Sequence, residues 1–265
     1  MAEKRFTSSD GVGLVYNDLG AGTPVVLCHG LAAGGAQMMA DAEYFAGRGH
    51  RVLVPDLRGH GQSDKPTPIS RETLSIARLA LDLREMLDDA GVGPVHWVGN
   101  SLGGILAVAM LPEHERRFRT LATFGTSYRL DVPDFWAPLV PPVQTLLGKR
   151  LTGWIVAQGT TRNVAARPII RRLIERFDPQ VGLQLSRNLS HYDIIANGVA
   201  ASLPILMLRG GEDRLINATL EPTLKAMTGR PNFTLVEVPE GGHCMNLDAP
   251  EVVRRELEAF WARQG

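Results

Sequence analysis

Ser101 sits in Val98-Gly99-Asn100-Ser101-Leu102-Gly103-Gly104, a Gly-x-Ser-x-Gly stretch that follows an apolar run and precedes a string of helix formers. Glycines on both sides of Ser101 allow a buried strand to turn abruptly into a helix, which pushes the hydroxyl out at the tip of a strained turn. The backbone N–H of Leu102 then lies at a helix N-terminus, where unpaired amides favour an oxygen gaining negative charge. A serine hydroxyl is a weak nucleophile at neutral pH. It needs a base within hydrogen-bond reach, and the base needs an acid to fix its tautomer.

Seven histidines compete for the role of base. His96 lies inside the strand leading to Ser101 and reads as a core residue. His50, His114 and His191 fall at helix edges or in loops without supporting neighbours. His243 follows a strand and a Glu240-Gly241-Gly242 turn, at the strand end where open parallel sheets gather their ligand-binding groups. About thirty residues earlier, Arg209-Gly210-Gly211-Glu212-Asp213 closes another strand and supplies the acid. Glu212 competes, but the shorter side chain at the fourth position of Gly-x-x-Asp favours Asp213. The order Ser, Asp, His suits a serine hydrolase.

These groups need a scaffold, and the chain has room for one. It has 265 residues, 44% of them hydrophobic, enough to bury a full core as one domain with a modest insertion. Lys and Arg number 28, as do Asp and Glu, so no charge imbalance suggests a nucleic acid or a membrane surface as partner. A small-molecule substrate is the expected partner; nothing points to a metal, a cofactor or a particular oligomeric state. The N-terminus lacks an apolar signal region, and no stretch approaches a bilayer span, which makes the cytoplasm the expected compartment. Cys28 and Cys244 read as free thiols and bystanders to the chemistry.

Eight strand-like runs follow one another: 6–8, 12–18, 24–28, 51–55, 94–98, 119–124, 204–208 and 233–238. The first two bracket a Ser9-Asp10-Gly11 turn and read as a hairpin. The third and fourth are continuously apolar, as strands covered on both faces are. Between runs, Thr73 to Ala90 places Leu79, Leu83, Met86 and Leu87 on one helical face, with Gly91 as a stop. Asp248-Ala249-Pro250-Glu251 predicts a capping box opening the last helix. The alternation predicts an α/β fold, a mostly parallel eight-stranded sheet with helices on both faces. From Tyr128 to Ala201 the rhythm breaks. Prolines 133, 138, 141 and 142 come first, then helical stretches without a clear strand, which predicts an inserted helical lid. The expected division is therefore residues 1–127 and 202–265 as the core and 128–201 as the lid. The lid also contains Phe177, and its Phe135, Trp136, Trp154 and Tyr192 suggest an apolar substrate pocket over Ser101, with Trp136 and Trp154 as the substrate-binding candidates. Its arginines, Arg162, Arg167, Arg171, Arg172 and Arg176, read as a solvated helix face.

Taken together, the chain resembles the α/β-hydrolase fold family. The resemblance rests on His29-Gly30 after the third strand, Asp56-x-Arg58-Gly59-x-Gly61-x-Ser63 after the fourth, the Gly99 to Gly103 elbow, and the Asp213 and His243 loops. It implies a second oxyanion donor at the backbone N–H of Leu31, beside that of Leu102. The glycine-rich 56–63 stretch reads as structural, with Arg58 tying loops together; it lacks the Gly-Lys-Ser/Thr of a nucleotide cradle. Serine at the elbow favours an acyl-enzyme, so hydrolysis of a carboxylic ester or lactone leads, and Gly242 to Glu251 resembles the corresponding stretch of enol-lactonases and small esterases. Two alternatives stand beside it. Hydrolases that cleave carbon–carbon bonds in vinylogous diketones often carry Gly-Asn-Ser, which Asn100 matches, although Cys244 stands where those enzymes tend to have tryptophan. A non-enzymatic ligand receptor on a hydrolase scaffold is the other.

Overall fold

In the computed structural model, residues 2–132 and 140–264 are described, with side chains in the second stretch described from residue 148. Two strands, β1 (Ala2–Thr7) and β2 (Gly13–Gly20), form the expected antiparallel hairpin, and Gly11 takes the positive φ of 87° that the turn between them requires. Strand and helix then alternate through β3 (Thr23–Cys28), α1 (Met39–Ala46), β4 (His50–Asp56), α2 (Ile76–Asp89), β5 (Val95–Asn100), α3 (Leu102–His114) and β6 (Phe118–Phe124). Next come β7 (Arg129–Asp131), α4 (Val140–Thr160, broken at Gly148), α5 (Arg167–Arg176), α6 (Pro179–Leu189), β8 (His191–Asp193) and α7 (Ile195–Ala200). The chain ends with β9 (Ile205–Gly210), α8 (Arg214–Asn217), α9 (Glu221–Met227), β10 (Phe233–Val238), α10 (Met245–Asp248) and α11 (Pro250–Ala262).

Eight strands make one sheet in the order β1-β2-β4-β3-β5-β6-β9-β10, antiparallel at the β1, β2 and β4 edge and parallel from β4 onward. Strand periodicity builds both core layers at once. Val26 and Cys28 of β3 pack with Trp97, Leu121 and the α2 and α3 side chains, while Val25 and Leu27 pack on the opposite face with Phe45 of α1 and Val253, Leu257 and Phe260 of α11. That is why β3 and β4 read as unbroken apolar runs.

Helix α2 starts later than the periodicity predicts. Ser75 caps it by accepting from the Arg78 N–H, and Gly91 beyond its end takes a φ of 61°. At α11 the capping box does not form. Ala249 precedes the helix without a side-chain cap, because the Asp248 carboxylate bonds elsewhere. The segment between β6 and β9 also departs from the expected all-helical insertion: β7 and β8 pair antiparallel, from Arg129 with Asp193 to Asp131 with His191. Three-residue strands carry too little period-2 pattern to stand out in a sequence. Beyond β8, α7 returns to the core, where the Asn197 amide donates to the Val108 carbonyl of α3. Pro133, Phe135, Trp136 and Pro138 lie outside the described residues.

The Asp56 to Ser63 stretch is a tie-bar. The Asp56 carboxylate accepts from the amides of Gly35 (2.7 Å) and Gln62 (2.8 Å), and the Ser63 hydroxyl donates to the Asp56 carbonyl. Arg58 is fully buried. Its guanidinium is forked onto Asp82, bonds Asp10 (2.9 Å) and donates to the Thr73 carbonyl, joining the β1–β2 turn, the β4 loop and α2. Those bonds from Arg58 hold the Asp10 carboxyl well below the usual carboxylate range.

Three buried histidines make the fold acid-sensitive. Burial pushes the imidazoles of His29 and His96 down to about 4 and that of His60 to about 3. The unfolded chain binds these protons near pH 6.5, whereas the folded chain refuses them until far lower pH. Their effect on stability is therefore absent above about pH 6.5 and destabilises progressively as the pH falls toward 4. Each contributes a slope of about 1.4 kcal/mol per pH unit within that window. Urea midpoints at pH 7.5, 6.0 and 5.0 should fall in that order, and more shallowly for His96→Gln. Equal slopes for the two proteins would mean that His96 is not held neutral.

Candidate active site

Ser101 sits between the end of β5 and the start of α3 with φ 50° and ψ −115°, a backbone conformation that L-residues avoid. Close packing of strand against helix imposes it. A Cβ on Gly99 would stand 2.4 Å from the Gly104 nitrogen, and one on Gly103 would stand 2.4 Å from the Cys28 carbonyl oxygen. Only glycine fits at either position, so the Gly-x-Ser-x-Gly spacing is a packing requirement. The Ser101 N–H donates to the Phe124 carbonyl (2.9 Å), which anchors the turn to β6.

The loop after β3 passes directly against the serine, since a Cβ on Gly30 would lie 3.1 Å from the Ser101 Cβ. Leu31 on this loop lines the same cleft as Ser101. Leu102 is the first residue of α3, where an amide has no helical carbonyl one turn back to bond. Ala32, with φ 56°, is the other positive-φ residue besides glycine among the described residues. It is held there by His60, whose Nε2 accepts from the Ala32 N–H (3.1 Å). His29 in turn accepts from the Leu57 N–H (3.1 Å), and the two imidazoles lie 5.1 Å apart. Both must stay neutral to accept these bonds, in keeping with their lowered basicity.

His243 and Asp213 meet as expected: the His243 Nδ1 lies 2.9 Å from Asp213 Oδ2. Asp213 is buried, while His243 is partly open to the cleft it shares with Ser101. The competing Glu212 points to the cleft mouth and pairs with Arg162. Arg162 is 60% exposed, as a solvated side chain is, and it also borders the cleft. His96 bonds Thr120 within the sheet (2.9 Å), the core role assigned to it. Burial pushes both thiols up, Cys244 to about 12, and keeps them protonated and inert.

Two carboxamide and carboxylate networks that the sequence did not announce hold the His243 loop. Asn100, fully buried beside Ser101, donates from Nδ2 to the carbonyls of Phe124 (3.2 Å) and His243 (3.0 Å). Its Oδ1 accepts from Gln37, so the whole amide is spent on positioning. Asp248 accepts from the Gly242 N–H (2.8 Å) on one oxygen and from the Thr161 hydroxyl and the Arg162 and Asn163 amides on the other. The histidine loop and the C-terminal end of α4 are thereby fastened to one carboxylate.

The cleft measures about 640 Å³, and Leu31, Val156, Ile174, Phe177 and Pro179 supply its apolar wall. Trp154 does not line it. That side chain is 53% exposed and borders a separate surface hollow with Arg167, Arg171 and Arg172. Tyr192 packs against the core and donates its hydroxyl to the Ser127 carbonyl. Among the described residues, Phe177, between α5 and α6, is the phenyl or indole side chain that reaches the cleft, its ring 4.6 Å from that of His60. Among the described residues no cluster of His, Cys, Asp and Glu could hold a metal ion, and no helix is long and apolar enough to cross a membrane.

Comparison with known proteins agrees with the fold. The α/β hydrolase fold family matches residues 23–250. A 2-hydroxy-6-oxononadienedioate/2-hydroxy-6-oxononatrienedioate hydrolase of Burkholderia vietnamiensis is 26% identical over 94% of this chain and 90% of its own length. A thermophilic esterase from Thermogutta terrifontis superposes with a TM-score of 0.85 at 22% identity, covering 100% of this chain and 99% of that one. The enol-lactonase of Burkholderia xenovorans gives 0.82 at 19% identity, covering 98% of this chain and 100% of that one. At such identities the two structures speak to the fold alone. With the family match spanning most of its length, the chain belongs to the α/β-hydrolase fold family.

Proposed function

We propose that this protein is a serine hydrolase that cleaves a carboxylic ester or lactone through an acyl-enzyme. One observation carries the reading: a strained, outward-facing Ser101 shares a cleft with His243, whose far nitrogen is held by the buried Asp213. The Ser101 hydroxyl attacks the substrate carbonyl as His243 Nε2 takes its proton, and the same imidazole then protonates the departing alcohol. Water, deprotonated by His243, releases the acid and restores Ser101. Asp213 keeps the imidazole in the required tautomer. The amides of Leu31 and Leu102 supply the donors for the oxyanion.

The matched relative from Burkholderia vietnamiensis, named as a hydrolase of an oxo-dienedioate, motivates a second reading, carbon–carbon cleavage in a vinylogous diketone. Asn100 does not favour it here, because its side chain is fully engaged by main chain and Gln37. Aryl esters, lactones and a vinylogous diketone assayed with wild type and Ser101→Ala separate the readings. Ester or lactone turnover lost in the variant supports the proposal. Diketone turnover alone replaces it, and tight binding without turnover leaves a ligand receptor.

The apolar wall makes a prediction about size. Along acetate esters of lengthening alcohols, each methylene should add up to about 0.8 kcal/mol, roughly fourfold in kcat/KM, until the cleft is full. Phe177→Ala should flatten that rise and Trp154→Ala should leave it unchanged. The reverse pattern would return Trp154 to the substrate.

A further inference from the structure

Behind the main cleft lies a second, smaller cavity of about 50 Å³, reached past Leu31 and His243, which line both spaces. Ile170, Leu173, Ile174 and Cys244 give it an apolar wall, and its polar groups are Gln37, Asn100, His243 and Thr160, whose hydroxyl donates to the Val156 carbonyl. Gln37 is 1% exposed, and its Oε1 is buried without any hydrogen-bond partner. The orientation of that amide is fixed by its neighbours. Asn100 spends its Nδ2 on two carbonyls, and Asn246 spends its own on the Gln37 carbonyl and the Asp41 carboxylate. Both therefore turn their Oδ1 toward Gln37, which must answer with Nε2 (2.9 and 3.2 Å). The acceptor is thus left over by necessity. A buried amide oxygen without a donor costs about 1–3 kcal/mol, so a fold that keeps one on a residue hydrogen-bonded to Asn100, the neighbour of Ser101 in sequence, has a use for a donor there.

We propose that this inner cavity takes the acyl arm of the substrate, and that Gln37 Oε1 selects short acyl groups bearing a hydroxyl or amide donor, as in a 3-hydroxyacyl ester or the matching lactone. The inference rests on the acyl-enzyme reading above. The acyl arm is the part that stays attached to Ser101 until water arrives, so it suits a closed pocket, whereas the alcohol must leave through the open cleft. A water needs about 10–15 Å³ of such space, so the cavity holds about three to five non-hydrogen atoms, room for the four that a 3-hydroxybutyryl arm carries beyond its carbonyl. Gln37 is here a specificity residue; it takes no part in bond making.

The test compares esters of one alcohol with butyrate, 3-fluorobutyrate and 3-hydroxybutyrate. Fluorine has nearly the size of the hydroxyl but donates no hydrogen bond. Wild type should prefer the hydroxy ester by about tenfold or more in kcat/KM, as expected when the analogue leaves a buried acceptor unpaired. Gln37→Met, similar in volume but without the amide, should bring the ratio near one. Since that variant also strips a donor from Asn100 and Asn246, the wild-type ratio decides on its own if the variant fails to fold. Equal rates on all three esters would overturn the subsite and leave the ester reading intact. If none is turned over while aryl esters or lactones are, the ester reading stands; if those are inert too, it fails. Calorimetric binding of the same esters to Ser101→Ala then reads the cavity without chemistry: a preference for the hydroxy compound upholds it, and equal affinities overturn it.

Discussion

Ser101→Ala, measured on any ester the wild type hydrolyses, should lose about four to six orders of magnitude in kcat with KM little changed, and His243→Ala should lose about as much. The double variant should be no worse than either single one. In the proposed mechanism Ser101, His243 and Asp213 act in one step, so once one is gone the others would have nothing to assist. Asp213→Asn should cost about 10⁴-fold, because the amide favours the wrong imidazole tautomer. Glu212→Gln, which only loosens the ion pair with Arg162 at the cleft mouth, should retain activity within a few fold. Covalent labelling by a fluorophosphonate at a residue other than Ser101, or loss at Glu212 equal to that at Asp213, would falsify the assignment.

Arg58→Met should destabilise the fold by about 3–5 kcal/mol, a large share of the whole stability of a typical domain. The guanidinium is fully buried and lies against Asp82, itself 4% exposed, so its removal strands a carboxylate in the interior. The Asp10 side chain is 31% exposed and can rehydrate, and Arg78 retains one bond to Asp82, which keeps the loss from being larger still. The variant Arg58→Met with Asp82→Leu removes both charges and should recover a substantial part. Urea denaturation read by tryptophan fluorescence gives both numbers. No recovery in the double variant would mean that Arg58 acts through packing and its bond to Thr73 alone.

What could be read from the chain beforehand follows the range of the interactions concerned. Gly99 and Gly103 were readable because the clash they avoid is with residues a few positions away or in an adjacent strand, which leaves a fixed local spacing. The choice of Asp213 over Glu212 rested on side-chain length within one turn, and the pairing with His243 bears the same mark. Composition says that an aromatic such as Trp154 lies in the insertion but not on which side of a helix it falls; α4 turns it outward, onto a hollow separate from the cleft. Phe177 could have been preferred. It directly precedes the Asp178-Pro179 start of α6, where a chain between two helices must turn inward or outward as a unit. Gln37 had no sequence signal: its partners Asn100 and Asn246 are 63 and 209 residues away. The misassigned cap at Asp248 has the same cause. A carboxylate before Pro250 satisfies the local pattern for a helix start, and four donors brought by the fold outbid it.

Those four donors bear on how such a protein can be rebuilt. The stretch from Arg129 to Asp193 enters and leaves through one two-stranded ribbon, the anatomy of a module that could be exchanged between scaffolds. Yet Thr161, Arg162 and Asn163 inside it share one carboxylate with Gly242, next to His243, and Asn163 also bonds the Leu247 carbonyl (2.8 Å). A graft cut at the ribbon alone would carry away half of a joint whose other half stays behind. The transplantable unit is therefore discontinuous: the ribbon-bounded stretch together with the loop from Gly242 to Asp248, moved as a pair.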